Sequence, residues 1–228
     1  MKFSCLFFFT VPALCAALCS CATGGGYTET FTVDSDAKPV VIGEAELQME
    51  TFMGFGKLKK ITVPVSYYAK DDAVCLHYKY NLINFYQFWS RKGRMLFQSS
   101  LDNYNEDFEA RRLFKNERRS NEKYGEALGY LVWQQSSFLV RAYGNMKVRF
   151  GYVFKDKSPY FSVLQLDAEY IDESIRDNNR VSDVVLMYFT RTQAADLAAL
   201  FDQDLLEGFA SGAITASAEN FYFETDDY

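Results

Sequence analysis

The sequence predicts an α+β fold, mostly antiparallel β-sheet of about seven or eight strands packed with two main amphipathic helices. Three observations predict it. Apolar residues recur with period two over most of the chain after Val40, the mark of strands with one buried face. Two segments switch to spacings of three and four residues, the mark of one helical face. Short turn-forming stretches such as "GFGK", "AKDD" and "KDKSP" separate the alternating runs, which makes hairpins and antiparallel neighbours.

In chain order, Ala45, Leu47, Met49, Thr51 and Met53 alternate with Glu44, Glu46, Gln48 and Glu50, and "GFGK" supplies glycines for a reversal. Ile61, Val63, Val65 and Tyr67 line one face of the next strand, where Pro64, lacking an N–H, points to an edge or a bulge. After "AKDD", Val74, Leu76, Tyr78 and Tyr80 alternate with Cys75, His77 and Lys79. A helix is then predicted after Gly93, because Phe97, Leu101, Tyr104 and Phe108 share a face; the segment Phe85 to Trp89 is compatible with a shorter helix before it. Arg111, Arg112, Lys115, Arg118 and Arg119 cluster toward its C-terminal end, where cations suit the helix dipole.

Strands return at Leu128 to Trp133 and Phe138 to Tyr143. The clearest hairpin follows: Val148, Phe150, Tyr152 and Phe154 alternate, "KDKSP" turns, and Tyr160, Ser162, Leu164 and Leu166 come back. "DESIRDNNR" reads as a polar loop and Val181 to Phe189 as an apolar strand. Thr190-Arg191-Thr192-Gln193 has the spacing of a capping box for a helix carrying Ala194, Leu197, Phe201 and Leu205 on one face, with Gly208 at its end. The tail "ENFYFETDDY" adds a short strand before an acidic end. An outer-membrane barrel, suggested by 21 Phe and 16 Tyr, is set aside because two patterned helices interrupt the strands.

The first residues carry a different message. Met1 and Lys2 precede the apolar run containing Phe7, Phe8, Phe9, Val11, Leu14 and Leu18, which is shorter than the roughly 20 residues a spanning helix needs and ends in small residues, as a secretory signal does. Leu18-Cys19-Ser20-Cys21 resembles the lipobox of bacterial lipoproteins. The resemblance implies diacylglycerol on the Cys21 thiol, cleavage before it and acylation of the new amine; Ala22 in place of Asp is compatible with transport to an outer membrane. Cys19 is an unusual choice at its position, and a plain signal peptide cut at a neighbouring small residue is the simpler alternative. Residues 1–20 are thus read as a signal peptide, 21–38 as the lipidated cysteine and a flexible tether, and 39–228 as a single α+β domain. Cys5, Cys15 and Cys19 leave with the leader and Cys21 carries lipid, so Cys75 has no intramolecular disulfide partner.

Charge and residue types exclude several function classes. Loss of Lys2 with the leader takes the formal charge from −6 to about −7, which repels phosphate-rich partners, so no nucleic acid is expected. His77 is the only histidine, so a serine triad or a multi-histidine metal site has too few groups. Cys75 and His77 share a strand face about 7 Å apart, too far for direct proton transfer, and a packed face is the ordinary reading. "GFGKLK" lacks phosphate-loop spacing and "DESIRDNNR" lacks calcium-loop register, so no cofactor and no metal are expected.

The basic cluster Arg111, Arg112, Lys115, Arg118 and Arg119 is the candidate interaction surface; interleaved Glu106, Glu109, Glu117 and Glu122 also fit an ordinary solvated face. Phe52, Phe55, Trp89 and Trp133 are candidates for a stacking surface, against the general tendency of aromatics to be core.

The resulting expectation is a non-enzymatic lipoprotein, held at the cell envelope on the outer-membrane or periplasmic side by lipid on Cys21, with a binding, assembly or structural role and an envelope protein as a candidate partner. Two alternatives stay open: a binder of a small ligand or glycan in an aromatic cleft, and an envelope hydrolase using paired carboxylates, whose spacing only a structure decides.

Overall fold

Eight strands pair in chain order, and the last returns to the first. They are β1 (Val40–Glu50), β2 (Leu58–Tyr68), β3 (Ala73–Tyr80), β4 (Ile83–Ser90), β5 (Gly125–Gln135), β6 (Arg141–Lys155), β7 (Ser158–Gln165) and β8 (Val185–Phe189). Every neighbouring pair is antiparallel, and Gln48↔Tyr188 with Met49↔Met187 closes a barrel. Among the described residues there are also three α-helices: α1 (Arg91–Glu109), α2 (Arg191–Leu200) and α3 (Gln203–Ser211). The computed structural model describes residues 31–34, 37–50, 56–135, 141–168 and 181–214.

The α+β expectation is overturned. The sheet packs on itself, not on a layer of helices, because closure joins the two ends of the strand series. Period two reveals that a strand has a buried face but not which strands flank it, so a closed and an open sheet give the same alternation. Other expectations are corrected with it. Phe85 to Trp89 forms β4 and not a short helix, with Phe85, Gln87 and Trp89 facing the lumen. The helix after Gly93 ends at Glu109, so the five basic residues lie in the connection to β5, and Arg111 takes a left-handed φ of 55°. Gly208 lies inside α3, whose stop is Gly212 at φ 73°. The final strand begins at Val185, four residues later than its apolar run. Residues 136–140, "DESIRDNNR" and the tail from 215 lie outside the described residues.

The lumen is mainly apolar. Leu47, Val63, Leu76, Phe85, Leu131, Val163 and Met187 point inward and are buried, while Glu44, Glu46, Lys60, Thr62 and Lys147 are exposed on the outside. That arrangement reverses the apolar-out, polar-in pattern of a membrane-spanning barrel. Burial of so many side chains inside one ring of strands is the main stabilising force, at roughly 1.5–3 kcal/mol for each fully buried aliphatic or aromatic group.

One end of the barrel is stoppered. Phe97 on α1 is fully buried, with its ring 5.4 Å from Phe161, 6.0 Å from Phe150 and 6.4 Å from Phe189, and 5.2 Å from Phe201 in the link between α2 and α3. Most of these rings meet edge to face, the favoured aromatic geometry. Beside it the buried Arg94 guanidinium donates to Asp72 Oδ1 and the Asp72 carbonyl, each at 2.7 Å, and to Gln203 Oε1 at 2.8 Å, tying α1 to the β2–β3 link and to α3. Two glycines permit close approaches. A Cβ on Gly43 would sit 3.1 Å from Leu200 of α2, and one on Gly151 would sit 2.1 Å from the Ser120 carbonyl oxygen.

The opposite end carries the link Asn81–Leu82 between β3 and β4. Asn81 and Leu82 both take left-handed φ values, 49° and 69°, as a two-residue hairpin turn requires. Packing starts before β1: Val33 is buried with Tyr68, Ala73, Cys75, Phe88, Tyr130 and Val132 in a second cluster on the barrel's outer face, and Phe31 donates its N–H to Asn145 Oδ1 at 3.0 Å.

Candidate functional site

The barrel wall is uneven. β5 and β6 pair over ten residues and β3 and β4 over eight, yet β2 and β3 pair only from Val65↔Leu76 to Tyr68↔Ala73. The next rung would place Pro64 opposite His77, and proline has no N–H to give a ladder. Beyond that point Leu58 to Pro64 stay with β1 and His77 to Tyr80 stay with β4, so two hairpins diverge.

A cleft of about 580 Å³ opens between them, lined by Met49, Glu50, Lys59, Ile61, Lys79, Tyr80, Asn81 and Leu82. That is within the roughly 300–1,000 Å³ typical of small-molecule sites. Its walls are mainly apolar, and Leu82 is 71% exposed at the rim. Two other hollows are built differently. One, at the start of α1, mixes Asp71, Asp72 and Glu126 with Arg91 and Lys92; the other mixes Glu117 and Glu122 with Arg118, Arg119 and Lys123.

The charges of the cleft do not cancel locally. Glu50, the one carboxylate on its lining among the described residues, is engaged by Lys155 and accepts from the Tyr188 hydroxyl at 2.6 Å. Those hydrogen bonds, Lys155 first and Tyr188 second, hold its pKa below the ordinary carboxylate value. Lys59 and Lys79 are exposed and have no ion pair among the described residues, whereas the neighbouring Lys60 pairs with Glu46 at 2.6 Å. By register Lys59, opposite Met49, stands on the lumen side of the gap, and Lys79, on the strand face of Cys75 and His77, stands on its outer side.

The lumen holds a few polar groups. The Tyr78 hydroxyl donates to Gln165 Oε1, and Gln165 Nε2 donates to the Asp183 carbonyl at 3.3 Å. Burial pushes the Tyr78 pKa well up, so it stays a neutral donor. Gln87, opposite Leu76 on the neighbouring strand, has both amide atoms without a hydrogen-bond partner among the described residues, and so does Trp89 Nε1.

The residues singled out by sequence are scattered. Cys21, Phe52 and Phe55 lie outside the described residues. Trp89 and Trp133 are core residues, 3% and 6% exposed, and offer no stacking surface. Cys75 is a free thiol buried in the outer cluster; burial raises its pKa, which disfavours the nucleophilic thiolate. His77 stacks on Tyr86 at 4.3 Å with rings nearly parallel, and burial lowers its pKa. In the basic connection, Arg112 pairs with Asp107 at 2.8 Å, Arg119 pairs with Glu122, and Lys115 donates to the Asp156 carbonyl at 2.9 Å; Arg111 and Arg118 are exposed. Among the described residues no group of three or more His, Cys, Asp or Glu side chains could hold a metal ion.

Lys59, Lys79, Tyr80 and Leu82 were not legible as a site. The only sequence signal nearby was Pro64, which marks where a ladder stops without saying what opens beyond it.

A family model described as "Uncharacterised Treponema protein" matches residues 29–208, a span that takes in all eight strands and both α1 and α2. The chain belongs to this Treponema family. No curated protein and no solved structure matches it. For this Treponema family member, the barrel's own geometry is therefore the basis for reading its role.

Proposed function

We propose that the protein is a non-enzymatic binding protein of the cell envelope, tethered by lipid on Cys21, whose barrel takes a small ligand in the cleft between β2 and β3. The cleft carries this reading: a hollow of ligand size, apolar along its walls, opens where two hairpins part. The lipobox-like Leu18-Cys19-Ser20-Cys21 supports the tether. A hydrolase using paired carboxylates is disfavoured at this site, because among the described residues Glu50 is the one carboxylate lining the cleft and it is already bound by Lys155 and Tyr188.

Two measurements test the proposal. Full-length protein purified from cells, extracted with organic solvent and analysed by mass spectrometry, should release a small molecule that is depleted from Ile61→Arg protein of unchanged circular dichroism. Equal extracts from both proteins would remove the cleft as the site. Separately, cells fed labelled palmitate should label the native protein and not Cys21→Ala; label on the variant would remove the anchor.

A further inference from the structure

Resting on the lipid tether proposed above, we propose that the outer face of β3, β4, β5 and β6 is a membrane-docking wall, which lies on the anionic phospholipid surface that holds the lipid on Cys21.

Charge is distributed unevenly along the chain. Of its 30 Asp and Glu residues, none falls between Ala73 and Leu101 or between Ala127 and Lys155. Those two stretches contain β3, β4, β6 and all of β5 after Glu126, and these four strands are neighbours in the barrel. The acid-free stretches therefore fold into one continuous wall, on a protein whose net charge is −6. Glu126, at the stoppered end, is held by Lys147 at 2.8 Å and by Arg149 at 2.9 Å. Across the ring, β1 turns Glu44, Glu46 and Glu50 outward. An anionic surface thus attracts one side of the barrel and is repelled by the other.

Register orders the outward positions of this wall into rows. Cys75, Phe88, Tyr130 and Asn145 form the first, and Val33 packs into the same cluster while Phe31 donates its N–H to Asn145. The next outward row is His77, Tyr86, Val132 and Tyr143, and the one beyond it is Lys79, Asn84, Gln134 and Arg141. Half-buried Tyr86 and Tyr143 suit the boundary between headgroups and acyl chains, because each ring is apolar and each hydroxyl polar. Lys79 and Arg141 are exposed, and three strand spacings put their Cα atoms about 14 Å apart with two carboxamides between them. That row offers lipid phosphates two cations and amide donors.

The tether selects a bilayer over a soluble acidic partner. Cys21 and Phe31 are about ten residues apart, so the chain between them spans at most about 36 Å even when fully extended. Phe31 is fixed to Asn145 of β6, so the lipid-bearing segment leaves the barrel from this wall. The side nearest the anchor is then the side that carries no carboxylate, and docking needs no stretched linker.

The test uses full-length lipidated protein in vesicles, with a fluorophore attached at Asn84→Cys on the wall or at Glu44→Cys across the ring; Cys75 is buried and does not take the label. Quenching by a nitroxide headgroup lipid reads contact, and flotation with the vesicles reads the tether. In vesicles containing phosphatidylglycerol the label at position 84 should be quenched and the label at position 44 should not. Replacing that lipid with phosphatidylcholine, or introducing Lys79→Glu with Arg141→Glu, should lower the ratio of docked to free domain about tenfold or more while flotation persists. Equal quenching at the two positions, or quenching at position 84 that is unchanged by the lipid replacement or by the double variant, would overturn the docking wall. So would floating protein unquenched at position 84, which would leave the wall to a soluble acidic partner. Protein left behind by floating vesicles would overturn the tether, and the wall's assignment with it.

Discussion

Gln87 is the residue whose placement most opposes local physical chemistry. Its amide is buried in the lumen with neither donor nor acceptor met among the described residues, an arrangement that costs stability for each unmet group. Gln87→Leu keeps the bulk and removes both groups, so urea unfolding should show a gain of about 1–3 kcal/mol. A loss would mean that the amide has a partner. His77 gives a second test at this scale. Burial lowers its pKa below the ordinary 6.5, so the folded protein resists a proton that the unfolded chain accepts. Its stabilising contribution is complete above about pH 7 and is lost as pH falls through 6.5 toward the lower folded value. Between pH 7.5 and 5.5 the urea midpoint of the native protein should fall further than that of His77→Phe, which keeps a ring against Tyr86. Equal falls would show that other groups set the dependence.

At the scale of single elements, local sequence was a good guide wherever local chemistry closes the account. The Thr190 hydroxyl accepts from the Gln193 N–H at 3.2 Å and Gln193 Oε1 accepts from the Thr190 N–H at 3.0 Å, the reciprocal pair expected from their spacing. Thr190→Ala should cost about 1 kcal/mol, with the loss of hydrogen-exchange protection concentrated in α2. The "KDKSP" hairpin is equally local: β6 and β7 pair from Lys155↔Ser158 to Val148↔Gln165. Local reading failed where partners decide. Phe85 to Trp89 shows no clean alternation, because between its lumen-facing residues Tyr86 and Phe88 are apolar too: Phe88 is buried in the outer cluster and Tyr86 packs against it. Both faces being covered erased the period-two signal. The basic residues after Glu109 continued the helical charge pattern past the point where Ala110 caps α1, so charge alone misplaced the boundary.

For the whole molecule, the stoppered end couples barrel and helices. Phe97 touches rings from β6, β7, β8 and the α2–α3 link, so helices and strands should unfold as one unit. Phe97→Ala should cost about 3–5 kcal/mol and lower the near-ultraviolet and far-ultraviolet transitions together. Separate transitions would show that the helices are an independent layer. Neither closure nor the cleft was legible in the sequence, for one reason: both are set by which strand edges meet, and edges leave no trace in side-chain alternation. Pro64 hinted at an edge, but the lysines beside the resulting opening look like any exposed strand lysine until β2 and β3 are seen to separate.

The two-rung seam between β1 and β8 sets a timetable for the nascent chain. No ring exists until Met187 and Tyr188 have been synthesised and have reached Gln48 and Met49, a very long-range pairing of the kind that slows folding. A ribosome stopping short of Val185 releases a curled ribbon with raw borders along β1 and β7, each able to template another copy. Premature termination in this gene should therefore yield aggregates, not a shorter working protein.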